Sequence, residues 1–600
     1  MRSGGRLRAS AGALLVVAFV AASVPGAAHA ADSASPAASA APKVLRIGTT
    51  TAIDNPNIWA VNSTTEWEAL NLQYDMVMKF GDTDLNAAPS LATGCDHSAD
   101  FRTWTCTLRS GVKWSDGQPL TSKDVAFSYK FAIDKGFSLF SGYFPDGTTF
   151  STPNDTTLVW KSPTPTNGPM VPAWAYVVPE HVWSKYLGAS SKQITSADVV
   201  PVVSSGPYQM TSATPGQNWT FTRNPNYWGT APAYDKIVYQ LYTNQDALVQ
   251  ALKNGQVDIA DALDGSVLPA LQKLSNVTVN KVVSDWWVNL AFNFGGRGPG
   301  LPALQNLDVR KAIEMAIDKQ QIVDKVYPGA AAPGQTIMRP LSKFWHLTVP
   351  TDKAIPYDPA AANALLDTAG YRLGPDGVRV DPKSGQPLVI RMPVSDDTAG
   401  SDGVGQLVAG FLKKIGITVK VQPVTAGKMY DLQQSGDFDA YIWYWSGDPD
   451  PNYQLSVFTS DQCGEGLSDG CWKNAQYDTL FAQQQTTFDQ TARKAIVDQM
   501  QQLVYDQVPV VVIAYPNAIE AYRNDHVTIA DRVPQPDGYI LPQYSVDALL
   551  SAHPPAGDVA VDSSPGLSVW AWLLAGLVIL GLVVFFVIRG RRSEDDLDRA

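Results

Sequence analysis

Residues 103–130 read TWTCTLRSGVKWSDGQPLTSKDVAFSYK. The first thirteen are rich in β-branched and aromatic residues and are interrupted by Ser110-Gly111, which predicts two short strands around a turn. Outward from this stretch, strand-like and helix-like runs alternate. Residues 307–327 place Val309, Ile313, Ala316, Ile317, Ile322 and Val323 on one face of a helix, with Asp308 as its N-cap. Residues 358–371 predict a second helix stopped by Gly370. LVAGFLKK at 407–414 predicts a helix, and GITVKVQPV at 416–424 a strand after it. PVVVIAY at 509–515 is apolar throughout, as a strand buried on both faces would be. The chain therefore reads as mixed α/β. With 600 residues, 45% of them hydrophobic, it is large enough for more than one lobe.

The two ends read differently. Arg2, Arg6 and Arg8 precede an apolar run at 11–24, and Ala28-His29-Ala30 offers a cleavage site before Ala31. Residues 1–30 are thus expected to be a secretory signal, followed by an Ala/Ser/Pro linker at 31–42. No cysteine precedes Cys95, so no lipid-attachment cysteine follows that cleavage site. Residues 567–588 carry no charge, and at ~1.5 Å per helical residue they match a hydrocarbon core of ~30 Å. Trp570 and Trp572 on one side and the arginines from Arg589 on the other predict one C-terminal transmembrane helix. Residues 551–566 would link to it, and 589–600 would form a cytosolic tail. The net charge of −12 argues against nucleic acid as a partner.

The four cysteines, Cys95, Cys106, Cys463 and Cys471, form two close pairs on an exported chain. Two local disulfides are the expectation, with three pairings possible in principle. A zinc site would need the four thiols together, and no metal is expected. There is no HExxH and no P-loop, and the six histidines are scattered. The 17 tryptophans and 23 tyrosines serve core packing for the most part, and aromatics also suit a cleft for a small organic or peptide ligand.

Residues 103–130 resemble the signature of the family 5 extracellular solute-binding proteins, the peptide, dipeptide and nickel receptors of ABC importers. Further stretches of the same pattern follow in order: SSGPYQM and RNPNYWG within 204–229, LKNGQVDIA at 252–260, residues 290–334, YDPAAANALLDTAGY at 357–371 and DFDAYIWYWSGDPDP at 437–451. The resemblance covers nearly all of 43–550. It implies an α/β, two-lobe, hinged periplasmic-binding-protein fold of the large class, with an extra subdomain in lobe I. Lobe I would take 43–288 and 510–550, lobe II 289–509, with crossings near Phe292 and Val512. It implies no enzyme activity and no cofactor. The partners would be a peptide or cationic small-molecule ligand, an ABC permease and its ATPase subunits. A surface sensor on the same fold, without transport, is the alternative, because the anchor is unlike most relatives.

Position by position, the aspartate of a WxGD stretch binds the ligand's α-amino group in dipeptide-type members; here that is Asp448, with Trp445 beside it. NSTTEW at 62–67 matches a ligand-touching loop and nominates Thr64 and Thr65, and DWWVNLAFN at 285–293 nominates Trp286 and Trp287. After MPV at 392–394, where dipeptide receptors place an arginine for the ligand carboxylate, this chain has Ser395, Asp396 and Asp397. A carboxylate there repels a carboxylate, which points to longer peptides or to a cationic ligand contacting Asp396. The block Tyr441 to Trp445 is expected to be a lobe II strand alternating between core and cleft. Pro449 would hold Asp448 extended, and Asp450 would sit at the rim or cap the next segment.

Overall fold

The computed structural model describes residues 42–555, apart from 62, 142–143, 167–174, 285, 397, 399, 464–467 and 469. The expected signal, linkers, apolar run at 567–588 and tail lie outside the described residues, apart from Pro42 and the first residues of the 551–566 linker, as does Asp397. Among the described residues no helix is long and apolar enough to cross a membrane.

A twelve-stranded sheet runs through both lobes of the described chain. Its centre is the strand Val510–Arg523, whose first half bears out the apolar run at 509–515. Residues 510–514 pair antiparallel with Trp286–Phe292, and residues 517–523 pair with Val277–Val283. Between them lies Pro516, which has no N–H to give to a ladder. Its carbonyl instead accepts from the Ser284 N–H (3.2 Å) and from Ser284 Oγ (2.6 Å). The central strand thus changes partners at Pro516, opposite Ser284.

On the lobe II side the order continues through Ala440–Ser446, Val389–Ser395 and Thr418–Val424. On the lobe I side it runs through Ile259–Leu263, Val44–Thr49, Lys236–Leu241, Asn218–Arg223 and Tyr208–Thr214. The hydrophobic cores follow much the same division, with Leu341 packed into the lobe I core and Ala330 into a fourth, smaller one. One large core gathers Leu45 to Tyr239 with Tyr522 to Ala552, and two others gather lobe II residues on opposite faces of its sheet.

A separate four-stranded sheet forms the subdomain expected in lobe I, in the order Ala92–His97, Thr103–Leu108, Thr157–Lys161, Thr149–Asn154. Thr103–Leu108 is a strand, but residues 112–115 are not its hairpin partner. Lys113 bridges only to Pro119, and Trp114 donates to the Gln118 carbonyl, closing a short turn. The partners of Thr103–Leu108 are strands that flank it on both sides, so no edge remains for residues 112–115.

The helix expected over 307–327 is two: Leu307–Ala316 and Lys319–Val326. Asp318 Oδ1 accepts from the Gln321 N–H and starts the second, so the apolar stripe continues across a break in the backbone. Asp308 is in the first turn rather than at the cap; Asn306 caps, its Oδ1 accepting from the Asp308 N–H at 2.9 Å. Pro359–Thr368, Ser401–Lys414 and Thr418–Val424 form as expected, and Gly370 has the left-handed φ of +88° that ends the first of these.

Candidate functional site

The strand Ala440–Ser446 lies antiparallel to Trp286–Phe292, with Trp287 opposite Trp445 and Trp286 opposite Ser446. Alternation along it does not separate core from cleft. Ala440 and Ile442 enter one lobe II core, while Tyr441, Trp443 and Trp445 face the other. Both faces are covered, and what changes is depth: residues 440–442 are buried, 443–445 half-buried, and Ser446 exposed. The aromatic block therefore emerges from lobe II by its end.

At that end the chain turns at Gly447. A Cβ there would meet Gln454 Oε1 at 2.3 Å and Arg339 Nη1 at 3.2 Å, so a larger residue would have to displace the Gln454 amide. Arg339 Nη1 donates to the Gly447 carbonyl. Asp448 follows, half-buried. Burial, and after it the Asp448 charge, raise the Tyr453 phenol above its ordinary range. Asp450 caps Pro451–Ser456, accepting from the Asn452 N–H at 2.9 Å. It is also the anion of a buried ion pair with Arg493, whose Nε donates to Gln484 Oε1 at 3.0 Å and whose guanidinium lies 5.1 Å from the Trp345 ring centroid.

Pro449, Asp450, Arg493, Trp345 and Phe488 form one wall of a crevice of about 500 Å³. The other wall comes from lobe I: Leu85, Asn86, Cys95, Asp96, His97, Phe101 and Trp104. The size is within the usual range for small-ligand sites, roughly 300–1,000 Å³. None of the residues nominated as ligand contacts lines it, although its floor begins one residue after Asp448. Of the crevice aromatics, Phe488 had a signal in the sequence: a lone aromatic in the polar turn QQTTFDQT between two helices.

The other nominated residues are placed as follows. Thr64 is exposed in the first turn of Thr64–Gln73, a helix closed by a Ser63/Glu66 capping box. Thr65 is fully buried and shares a hydrogen bond with Thr49 Oγ1 at 3.1 Å, beside Asp261, so it serves the lobe I interior. Trp286 is half-buried, edge-on to Tyr444 at 5.8 Å. Trp287, 1% exposed, is a core residue of lobe II. Asp396 is exposed and accepts from the Ala426 N–H at 3.1 Å, which makes it part of the start of Ala426–Ser435 and not of the crevice. Both cysteine pairs form local disulfides, Cys95–Cys106 directly across a strand pair and Cys463–Cys471 against Gly296.

Lobe I also buries three carboxyls together. Glu520 accepts from the Ile540 and Leu541 N–H groups and from Asn280, Glu68 from Tyr239, and Asp261 from Thr49 and Thr65. Burial lifts Asp261 to about 6 and Glu520 to about 7. Burial, then the charges of Asp261 and Glu520, push Glu68 well above the carboxylate range.

Two α/β lobes sharing one sheet, with a crevice walled by both, define a two-lobed binding protein. The chain belongs to the bacterial extracellular solute-binding proteins, family 5, whose middle-region model matches residues 86–466. It is 25% identical over 456 residues to a di/tripeptide-binding protein of Pseudomonas aeruginosa, covering 72% of this chain and 82% of that protein. It is 25% identical over 479 residues to the nickel-binding periplasmic protein of Escherichia coli, covering 77% and 86%. Among solved structures it is similar to the ABC transporter substrate-binding protein CtaP of Listeria monocytogenes, with a TM-score of 0.72 at 20% identity, covering 86% of this chain and 99% of that one. It is also similar to the oligopeptide-binding protein AppA of Bacillus subtilis in complex with a nonapeptide, with a TM-score of 0.66 at 20% identity, covering 86% and 99%. These relatives are substrate-binding proteins rather than enzymes.

Proposed function

We propose that the chain is an exported substrate-binding protein of an ABC importer, held to the membrane by residues 567–588. It captures a peptide or similar amine-bearing solute between its lobes and delivers it to a permease and its ATPase subunits. The observation that carries this reading is the crevice walled by both lobes, whose floor begins beside Asp448 at the emerging end of the aromatic strand. The peptide-binding relatives support the ligand class.

Asp448 supplies the countercharge to the ligand's ammonium. Trp443, Tyr444 and Trp445 behind it exclude water and so strengthen that pairing. Asp396 and Asp397 replace an arginine for the ligand carboxylate, which disfavours a free dipeptide. The lobes would pivot at Ser284 and Pro516, where the sheet changes partners.

Calorimetry tests the assignment with the solute that co-purifies and with its N-acetylated form. Removing one partner of a buried charge pair costs about 2–5 kcal/mol, so Asp448→Asn weakens the amine form by roughly 30-fold or more. If Asp448→Asn binds both forms as tightly as the parent does, Asp448 is a turn residue and the site lies elsewhere.

A further inference from the structure

Phe101, in lobe I, and Phe488, in lobe II, stack across the crevice with ring centroids 3.9 Å apart and planes 14° apart. We propose that this pair is a latch that holds the lobes closed, so that it sets how tightly any solute is retained. The inference rests on the reading that the two lobes close over ligand.

The lobe I half of the stack is built to present its ring. Phe101 sits at the tip of the hairpin between Ala92–His97 and Thr103–Leu108, with a φ of +53° that a bulky side chain adopts only under constraint. The constraint is visible. Ser98 Oγ donates to Asp100 Oδ1 at 2.6 Å, the Arg102 N–H donates to the same oxygen at 3.2 Å, and the Phe101 N–H donates to the Ser98 carbonyl at 3.0 Å. Behind Phe101 the His97 ring stacks at 4.1 Å, and Trp104 lies 4.9 Å from His97. The Cys95–Cys106 disulfide clamps the strands below. One face of Phe101 is thus backed by His97 and the other is given to Phe488.

The lobe II half projects from the turn between Ala475–Gln485 and Gln490–Gln507. Phe488 is half-buried and belongs to none of the hydrophobic cores, so the fold of lobe II does not require a ring at this position. Its contact with Phe101 is made only when the lobes are together. A contact present in the closed state and absent from the open one shifts the population toward closure. Apparent affinity rises with the fraction already closed.

The test uses the full chain in detergent, dialysed free of co-purified solute and carrying spin labels at Lys123→Cys in lobe I and Lys353→Cys in lobe II. Pulsed dipolar spectroscopy then reads the distribution of inter-lobe distances. The parent should show a dominant closed population. Phe488→Ala should raise the open fraction about two- to tenfold, the scale of one aromatic pair, and Phe488→Tyr should restore closure. Phe101→Ala should do the same as Phe488→Ala, and the double variant should be no more open than either single one. Unchanged distances in Phe488→Ala, or additive opening in the double variant, would overturn the latch. Because these readings need no ligand, they stand apart from peptide capture. A trialanine titration of the same samples tests retention, with faster release from Phe488→Ala than from Phe488→Tyr. If trialanine fails to bind the parent while the distances behave as stated, it is the ligand class that fails and the latch stands.

Discussion

Asp450 and Arg493 meet as a two-pronged ion pair, Oδ2 to Nη1 at 2.5 Å and Oδ1 to Nη2 at 2.9 Å, with 13% and 6% of their side-chain surfaces exposed. The pair ties the turn after the aromatic strand to the helix Gln490–Gln507. Asp450 is therefore a structural residue, although it stands before a proline in the same turn as Asp448.

Asp450→Asn should destabilise the protein by about 3–5 kcal/mol, because Arg493 would keep a buried charge without its partner. Asparagine is as good an N-cap as aspartate, so the change isolates the ion pair from the cap. Denaturant unfolding measures it. A loss below about 1 kcal/mol would mean that the pair behaves like an exposed one.

The buried carboxyls of lobe I make stability depend on pH. Their pKa values are raised by folding, so the stabilising form is the neutral one: it is complete below the ordinary carboxylate range and is lost as pH rises through about 6 for Asp261 and about 7 for Glu520. Asp261→Asn removes one titrating group while leaving acceptors for Thr49 and Thr65. The variant should gain stability relative to the parent as pH rises from about 5 to about 7. Parallel stability profiles over that window would contradict the assignment.

Each disulfide closes a short loop. Replacing Cys95 and Cys106 by serine should cost about 2–3 kcal/mol in the chain-entropy model, read from the unfolding midpoint. Loss of the Cys463–Cys471 bridge should cost a similar amount, since Gly296, at φ +110°, packs directly on its sulfurs. Non-reducing peptide mapping should return both local pairs and no cross-pair.

The apolar run at 567–588 should anchor the protein. Protease added to intact cells should release the part before residue 567 and leave the helix behind. A chain truncated at Pro565 that still sediments with membranes would refute the anchor.

Several features were legible because their causes are local. The apolar run at 509–515 declares a doubly buried strand, Gly370 ends a helix through its own φ, and each cysteine finds its partner within a dozen residues. The order of motifs from 103 to 451 placed the chain in its family because each motif is a contiguous run of residues. What the tertiary structure alone decided is which surface covers which. Periodicity marked residues 441–445 as apolar but could not say that both faces of that strand are covered and that only its end emerges. It carried one apolar stripe across residues 307–327, where Asp318 breaks the backbone into two helices. The family resemblance offered Thr65 and Trp287 as ligand contacts, whereas packing commits one to Thr49 and the other to the lobe II core. Asp450 found Arg493, and Phe101 found Phe488, only through the folding of distant segments onto one another. A side chain's type limits the partners it can accept, and the partner itself is chosen by long-range packing that no local pattern encodes.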